Sequence, residues 1–366
     1  INLHELKKTI KIFDYFIVSP SIKINKNHNL YPFKEKILID LDFLSLEIKN
    51  QIVFGVTGTE GKSTICSYLS QYLSDSFKTL IIGNYGNTIL DKDNLEKTLS
   101  KIKIIIIELS SYQLDKIKFL KINHAIITNI YSDHLQYHGS FSNYVKSKFK
   151  IQFFLIKNGS IHIRNIERRR YSTLINTHNK NINTISNMNF HNKIFGFDIN
   201  LLNEYFTKSI ISYCKFNFDQ SKKLKNLPFR NELIENTSNI KIINDSKSTN
   251  LENSIIKINQ INLKKKIIIL GGNPKKSIVK KNIIKNSLIL IFGPNRFRIN
   301  NRIECINSKL FTFVNLENLF KFLKVIVHQS KWDVILFSPG GESFDQFKDY
   351  SHRGEVFNSY IKKFKI

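Results

Sequence analysis

The sequence predicts an α/β protein built on mostly parallel sheets, and three observations carry that expectation. An apolar run over residues 51–54 enters the turn Gly55-Val56-Thr57-Gly58-Thr59-Glu60-Gly61-Lys62-Ser63-Thr64 and leaves it as a helix-like segment reaching Leu73. Short apolar runs near 78–82, 102–107, 123–130 and 160–164 alternate with helical periodicity at 63–73 and 141–156. Beyond Leu227-Pro228-Phe229-Arg230 a second alternation begins, with strands near 240–244, 266–270, 288–292 and 333–337 and helices near 249–259, 316–328 and 352–364. Strands alternating with helices bury both faces of a parallel sheet, and such sheets bind ligands beyond the carboxyl ends of their strands.

The turn at 55–64 is a phosphate cradle in form. Glycines let backbone N–H groups approach phosphate oxygens, and a helix N-terminus favours negative charge. Lys62 can reach terminal oxygens and the Ser63 hydroxyl can hold magnesium. The spacing departs from a strict Walker loop, whose first glycine would fall at Val56; here glycines stand at 55, 58 and 61. Ahead of the turn, residues 10–18 read as a helix end or strand leading to Ser19-Pro20-Ser21, and residues 36–40 as a second strand. That opening piece is too short for a core of its own. The chain starts at Ile1 rather than Met, so a fragment of a longer protein is expected. Residues 165–225 have weak periodicity and resist assignment.

With 366 residues, 42% of them hydrophobic and 23% charged, the chain has room for two or three globular domains. Apolar runs such as Ile104–Ile107 fall far short of the ~18 residues of a membrane helix. No leader pattern opens the chain, so a cytoplasmic location without membrane insertion is expected. Cys66, Cys214 and Cys305 are scattered without metal-binding spacing, which fits reduced thiols. A net charge of +27 raises the question of nucleic acid. The lysines are spread along the whole length, and the one dense run is Arg168-Arg169-Arg170. The charge therefore reads as surface solvation, with no nucleic-acid partner expected, although anionic substrates would gain from the positive field.

Four further clusters stand near strand ends. Glu108 follows the isoleucine run and either ligates magnesium at the sheet edge or is an ordinary surface carboxylate. Asp133-His134 follows another apolar strand and could ligate metal, move protons, or do neither. Residues 144–151 form an unremarkable basic helix. Residues 244–250 and 338–347 are loops opening helices, suited to carboxylates or phosphates at backbone N–H groups, as ordinary capping loops also are.

Taken together these stretches resemble the Mur ligases. The resemblance is carried by Gly58 to Thr64, Gly83-Asn84, Glu108-Leu109-Ser110-Ser111, Asp133-His134-Leu135, Tyr144 to Lys148, Leu227 to Glu232, Asn244 to Asn250 and Ser338 to Phe347, in the family's order and spacing from about residue 12 onward. The forms Asp245-Ser246-Lys247-x-Thr249-Asn250 and Ser338-Pro339-x-x-x-Ser343-Phe344-Asp345-Gln346-Phe347 point to the D-glutamate-adding members.

The resemblance implies three domains: residues 1–42 as the remnant of a truncated Rossmann-like domain for the UDP substrate, 43–226 as a P-loop ATPase-like domain, and 227–366 as a Rossmann-like amino-acid domain. It implies a monomeric enzyme of peptidoglycan-precursor synthesis that uses ATP and Mg2+. Such an enzyme joins UDP-N-acetylmuramoyl-L-alanine to D-glutamate through an acyl phosphate. It places Gly58, Thr59, Gly61, Lys62, Ser63, Thr64, Arg230 and Asp245 on ATP, with Lys62 on the transferring phosphate. Lys247 matches a phosphate contact, and Asp133 stands with the catalytic pair. Ser63 and Glu108 would hold one magnesium; His134 and Lys148, the lysine as a carbamate, would serve a second. Ser19, Asn84, Ser110 and His134 match contacts to the UDP substrate. Thr249, Lys275, Ser343, Phe344 and Tyr350 match positions around D-glutamate.

There are departures. Glu60 replaces the family's usual Asn, and Gln136-Tyr137 replaces Asp-Arg. The family's Gly-x-His-Asn-x-x-Asn segment aligns with Asn203 to Ser209, which would turn two ATP-holding asparagines into Phe206 and Ser209 and weaken nucleotide binding. Other members of the same superfamily, including folylpolyglutamate synthase, and a degenerate nucleotide-binding scaffold without turnover are the alternatives.

Overall fold

The computed structural model describes residues 13–87, 95–176, 181–186, 199–234, 240–261, 263–275 and 281–366. These belong to two compact units, one drawn from residues 1–188 and 203–224, the other from 189–202 and 225–366.

In the first unit, β1 (Phe16–Ile17) pairs in parallel with β2 (Ile37–Leu38), followed by α1 (Asp40–Glu47). Then come β3 (Ile52–Thr57), α2 (Lys62–Leu73), β4 (Thr79–Gly83), α3 (Leu95–Leu99), β5 (Ile104–Glu108), α4 (Ser111–Lys116), β6 (Ile122–Ile127), α5 (Leu135–His138) and α6 (Phe141–Phe149). β7 (Leu155–Arg164), α7 (Asn165–Arg170), β8 (Asn181–Ile185) and α8 (Ile199–Tyr213) complete the series. Six of these strands form one parallel sheet in the order β4-β5-β3-β6-β7-β8. The order reverses at β3, so the turn after β3 sits at the switch point where such sheets bind ligands.

The isoleucines of β5 show why the sheet is sandwiched. Ile105 and Ile107 pack on one face with Val53, Leu109 and Tyr144, while Ile104 and Ile106 pack on the other with Phe54, Ile65 and Phe206. A strand buried on both faces reads as a continuous apolar run rather than an alternating one. Among its described residues the opening piece has no separate core: Val18, Ile37, Ile39, Leu41 and Leu44 join the first of these faces. Asp42 fixes it there. Its carboxylate is buried and accepts the backbone N–H groups of Ile39 (2.9 Å), Lys118 (2.7 Å) and Phe119 (3.1 Å). Asp42→Ala strands these donors and is expected to cost about 3 kcal/mol, read from the urea midpoint.

The second unit runs β9 (Glu232–Ile234), β10 (Lys241–Asn244), α9 (Leu251–Gln260), β11 (Lys266–Gly271), β12 (Asn282–Lys285), β13 (Ser287–Phe292) and α10 (Arg296–Asn300). It continues with β14 (Ile303–Ile306), β15 (Lys309–Phe313), α11 (Leu316–Gln329), β16 (Val334–Gly340) and α12 (Tyr350–Phe364). Its sheet has the order β15-β13-β11-β16-β10-β9, parallel except for β9. Among the described residues no helix is long and apolar enough to cross a membrane.

Several expectations need correction. The helix foreseen over 141–156 stops at Phe149, passes through one 3-10 turn at Lys150–Phe154, and becomes β7 from Leu155. The apolar side chains of Ile151 to Ile156 fit either period, and the sheet decides. The strand foreseen at 36–40 is two residues long and gives way to α1, whose start Asp42 caps. Residues 10–12 of the opening run lie outside the described residues. The stretch that resisted assignment holds α7, β8 and α8.

One polar cluster is buried within the second face. His124 of β6 stacks on Phe54, and Ser160 Oγ lies 2.7 Å from His124 Nδ1 and 2.9 Å from His162 Nε2 of β7. Burial lowers the His124 imidazole to about 4 and, with His124 beside it, the His162 imidazole to about 3. Both lie below the ordinary 6.5, so the unfolded chain binds more protons once the pH falls under that value. Stability is then full above pH 6.5 and lost toward pH 4, at about 1.4 kcal/mol per histidine per pH unit. Urea midpoints measured in chelator from pH 6.5 to 4.5 should fall accordingly, and His162→Gln should remove about one proton from the slope.

Candidate functional site

β3 delivers the chain into the loop 58–61 and α2 takes it out, with Gly61 at the helix N-cap. Two glycines are required by geometry. Gly58 has φ +144°, and a Cβ there would overlap Thr128 Oγ1. Gly61 has φ +78°, and a Cβ would meet Asn203 Oδ1 of α8 at 2.8 Å. The segment after β6 clamps the loop from outside. The Glu60 N–H donates to Asn129 Oδ1 (2.8 Å), and the Glu60 carbonyl accepts from Thr128 Oγ1 (2.6 Å) and Asn129 Nδ2 (3.2 Å). Thr59 Oγ1 accepts the Tyr131 N–H (2.9 Å) and meets the Tyr144 hydroxyl (2.9 Å).

Charged groups converge on this frame. Lys62 Nζ donates to the carbonyls of Thr59 (2.9 Å) and Gly58 (3.1 Å), which keeps its ammonium at the loop. Ser63 Oγ donates to Glu108 Oε2 (2.5 Å), and Asn84 Nδ2 donates to Glu108 Oε1 (2.8 Å), so the buried carboxylate at the end of β5 is held from both sides. Lys148 of α6 is buried, donates to the Gly58 carbonyl (2.7 Å) and lies 4.7 Å from the Tyr144 ring centre. Burial, then the Lys62 charge, holds the Lys148 amine well below the ordinary lysine range, with Asp133 and Glu108 opposing. His134, with φ +53°, accepts or donates at Nδ1 to the Tyr112 hydroxyl (2.7 Å) and pairs with Asp133 at 3.4 Å.

Ser63 and Glu108 are hard oxygen donors side by side, the set that magnesium prefers. Lys148 is a buried amine held toward its neutral, nucleophilic form, the form that takes up CO2 to become an oxygen ligand. The residues present therefore fit the implied metal sites.

The family model for the Mur ligase middle domain matches residues 56–226. The UDP-N-acetylmuramoylalanine--D-glutamate ligase of Francisella philomiragia is 29% identical over 380 residues, covering 96% of this chain and 87% of that protein. The enzyme of the same name from Petrotoga mobilis is 28% identical over 390 residues, covering 97% and 87%. The chain is thus similar to Mur ligases over 96% of its length. Its fold is similar to that of a MurF ligase from Thermotoga maritima in complex with ADP (TM-score 0.62, 16% identity, 98% of this chain and 92% of that one). It is also similar to a bifunctional folylpolyglutamate synthase/dihydrofolate synthase from Yersinia pestis complexed with AMPPNP and Mn ion (TM-score 0.57, 11% identity, 98% of each chain).

That similarity makes one correction legible. The register that put Phe206 and Ser209 in place of two asparagines does not hold. Phe206 is core, packed with Ile65, Leu69 and Ile210, and Ser209 Oγ donates to the Tyr205 carbonyl. The residue standing at Gly61 is Asn203. Asn200-Leu201-Leu202-Asn203 repeats the family's Asn-x-x-Asn six residues earlier, with both side chains on neighbouring turns of α8.

The remaining residues fall as follows. Ser110 caps α4 through Gln113, and Ser19 is exposed beside Pro20, whose carbonyl accepts Lys116 Nζ (2.6 Å). The same ammonium donates to Tyr137 Oη (2.6 Å), so Tyr137, the departure from Asp-Arg, braces Tyr112 by an edge contact of 4.5 Å. In the second unit Asp245 is buried and accepts from Lys257 Nζ (3.0 Å), Ser338 Oγ (3.1 Å) and the Asn231 N–H (3.3 Å). These three donors fix the carboxylate in place at the end of β10. Lys247 Nζ lies 4.0 Å from the Tyr350 ring centre. Ser343 is buried, Phe344 is 75% exposed, and Arg230, Thr249 and Lys275 are half-buried. Arg353, which the motifs did not flag, is fully buried. It donates to Ser246 Oγ (3.1 Å), the Ser246 carbonyl (2.7 Å) and the Gly341 carbonyl (2.9 Å), tying the two motif loops together.

Proposed function

We propose that this protein is a Mur ligase that joins UDP-N-acetylmuramoyl-L-alanine to D-glutamate with ATP, in peptidoglycan-precursor synthesis. The observation that carries the reading is the convergence of Lys62, Ser63, Glu108 and Lys148 on one glycine loop, in a chain whose relatives bear that enzyme's name. The substrate carboxylate attacks the terminal phosphorus of ATP, ADP leaves, the D-glutamate amine attacks the acyl carbon, and phosphate departs. Charge gathers on phosphoryl oxygens throughout, so the protein's part is positioning and electrostatic stabilisation. Lys62 meets the transferring phosphoryl group, and the glycine loop lets backbone N–H groups approach it. Ser63 with Glu108, and His134 with carbamylated Lys148, would hold magnesium, which neutralises phosphoryl charge when bound. Asn84, Ser110, Ser19 and His134 face the UDP substrate. Arg230 and Asp245 serve ATP, and Lys247 the phosphate. Thr249, Lys275, Ser343, Phe344 and Tyr350 receive D-glutamate. The domain limits 1–42, 43–226 and 227–366 belong to the same proposal, as do a monomeric state and a cytoplasmic location.

Phosphate release should require ATP, the UDP substrate and an amino acid together, and D-glutamate should exceed L-alanine and L-glutamate by at least tenfold in kcat/KM. Release with another amino acid at equal efficiency would assign a different branch of the family. Asn203→Ala should raise the Kd for ADP about tenfold, the loss of roughly one buried hydrogen bond, while Ser209→Ala leaves it unchanged; equilibrium dialysis distinguishes the two.

A further inference from the structure

We propose that His124, His162 and Cys214 form a binding site for one Zn2+ ion, apart from the phosphate loop and unrelated to the magnesium sites. The proposal does not depend on the ligase reading. The three ligating atoms lie within 4.8 Å of one another, and among the described residues no other three His, Cys, Asp or Glu side chains converge in this way. The separations fit one ion. His124 Nδ1 is 3.3 Å from His162 Nε2, and Cys214 Sγ lies 3.6 Å from both His124 Nδ1 and Nε2, so the thiol must turn toward Nδ1 to share its ion. A tetrahedral zinc with Zn–N of about 2.05 Å and Zn–S of about 2.3 Å sets N–N edges of about 3.3 Å and N–S edges of about 3.6 Å.

The surroundings also suit a cation. Two ring nitrogens face one another across a single hydroxyl, Ser160, which can donate to one ring and accept from the other, so an ion would take the place of that hydrogen-bonded bridge. Both imidazoles are held neutral by burial, the form that ligates. Each ring is also held in orientation. His124 stacks on Phe54 at 4.7 Å, Tyr213 abuts the His162 face at 5.2 Å, and the Asn183 amide meets His162 Nδ1 at 3.1 Å. There Asn183 Nδ2 faces the ring nitrogen, so the amide must turn to offer its oxygen to the Nδ1–H of a histidine that ligates through Nε2. Ser160 Oγ sits closer to the two rings than a fourth tetrahedral ligand would, so it must step back or yield the fourth position to water. Burial pushes the Cys214 thiol up to about 12, and a bound dication reverses that: the thiol proton leaves to solvent as the S–Zn bond forms.

Two imidazoles and a thiolate select zinc over magnesium, which prefers oxygen. The spacing in sequence, 124, 162 and 214, matches no metal motif; the site exists because β6, β7 and the end of α8 meet. An ion there would pin the end of the helix whose first turn presents Asn203 to Gly61.

The test uses the full chain, reduced, stripped with chelator and titrated with Co2+ and then Zn2+. One equivalent of Co2+ should give the visible bands of a tetrahedral ion with a near-ultraviolet thiolate-to-metal band. Zn2+ should displace it and raise the melting temperature. Cys214→Ser should lose the thiolate band and Cys305→Ser should keep it, while His162→Gln should weaken binding at least tenfold. Absence of saturable binding by the folded wild-type chain, or a thiolate band that survives Cys214→Ser, overturns the proposal; the wild-type titration decides even if a variant misfolds.

Discussion

Lys62→Ala is expected to lower kcat by about a thousandfold or more while leaving the melting temperature within a few degrees. The ammonium is fixed at the loop by the Gly58 and Thr59 carbonyls, at 3.1 and 2.9 Å, so it is placed before any phosphate arrives. A preorganised cation beside developing phosphoryl charge is worth about 4 kcal/mol of barrier, which is the stated factor. The side chain is half-buried and the loop is held by Thr128 and Asn129, so the fold does not lean on it. Steady-state phosphate release and a thermal melt measure the two halves of the prediction. A variant that keeps more than a tenth of the wild-type rate would remove Lys62 from the reaction.

Lys148→Met is expected to reduce turnover by about a hundredfold or more and to leave the protein folded. An isolated buried amine contributes little to stability, and an apolar side chain of similar volume replaces it with small loss. The activity loss follows from the proposed carbamate. Because burial holds the amine below the ordinary lysine range, it is substantially more neutral near pH 7–8 than an exposed lysine, and only the neutral amine adds CO2. Raising the pH toward the ordinary lysine value increases that fraction further. Wild-type protein under 13CO2 should show a carbamate carbon resonance that Lys148→Met lacks, and its activity should fall in CO2-depleted buffer and return with bicarbonate. Full activity without CO2 would make Lys148 a post for the Gly58 carbonyl and nothing more.

The parts legible in the sequence were those where one strand or one loop decides the outcome. Ile104–Ile107 reads as a doubly buried strand, and the turn at 55–64 reads as a phosphate cradle because a helix follows it. Glu108 was ambiguous because its partners, Ser63 and Asn84, come from elements 45 and 24 residues away. The clamp of Thr128 and Asn129 on Glu60 was overlooked beside the more conspicuous Asp133-His134, since amide and hydroxyl side chains carry no motif of their own. The Asn register slipped because Asn200 and Asn203 stand in a stretch of weak periodicity, and it is the approach of Asn203 to Gly61 that marks the frame. Arg353 and the cluster around His124 depend on contacts across more than 35 residues and had no local signal.

The central claim is that ATP activates the substrate's own carboxylate. UDP-N-acetylmuramoyl-L-alanine labelled with 18O in its terminal carboxylate, incubated with the protein, ATP, Mg2+ and D-glutamate, should release phosphate carrying one 18O while the new amide keeps the other. Release of unlabelled phosphate alongside the amide product would contradict an acyl phosphate, and release of unlabelled phosphate without that product would leave the protein an ATPase rather than a ligase.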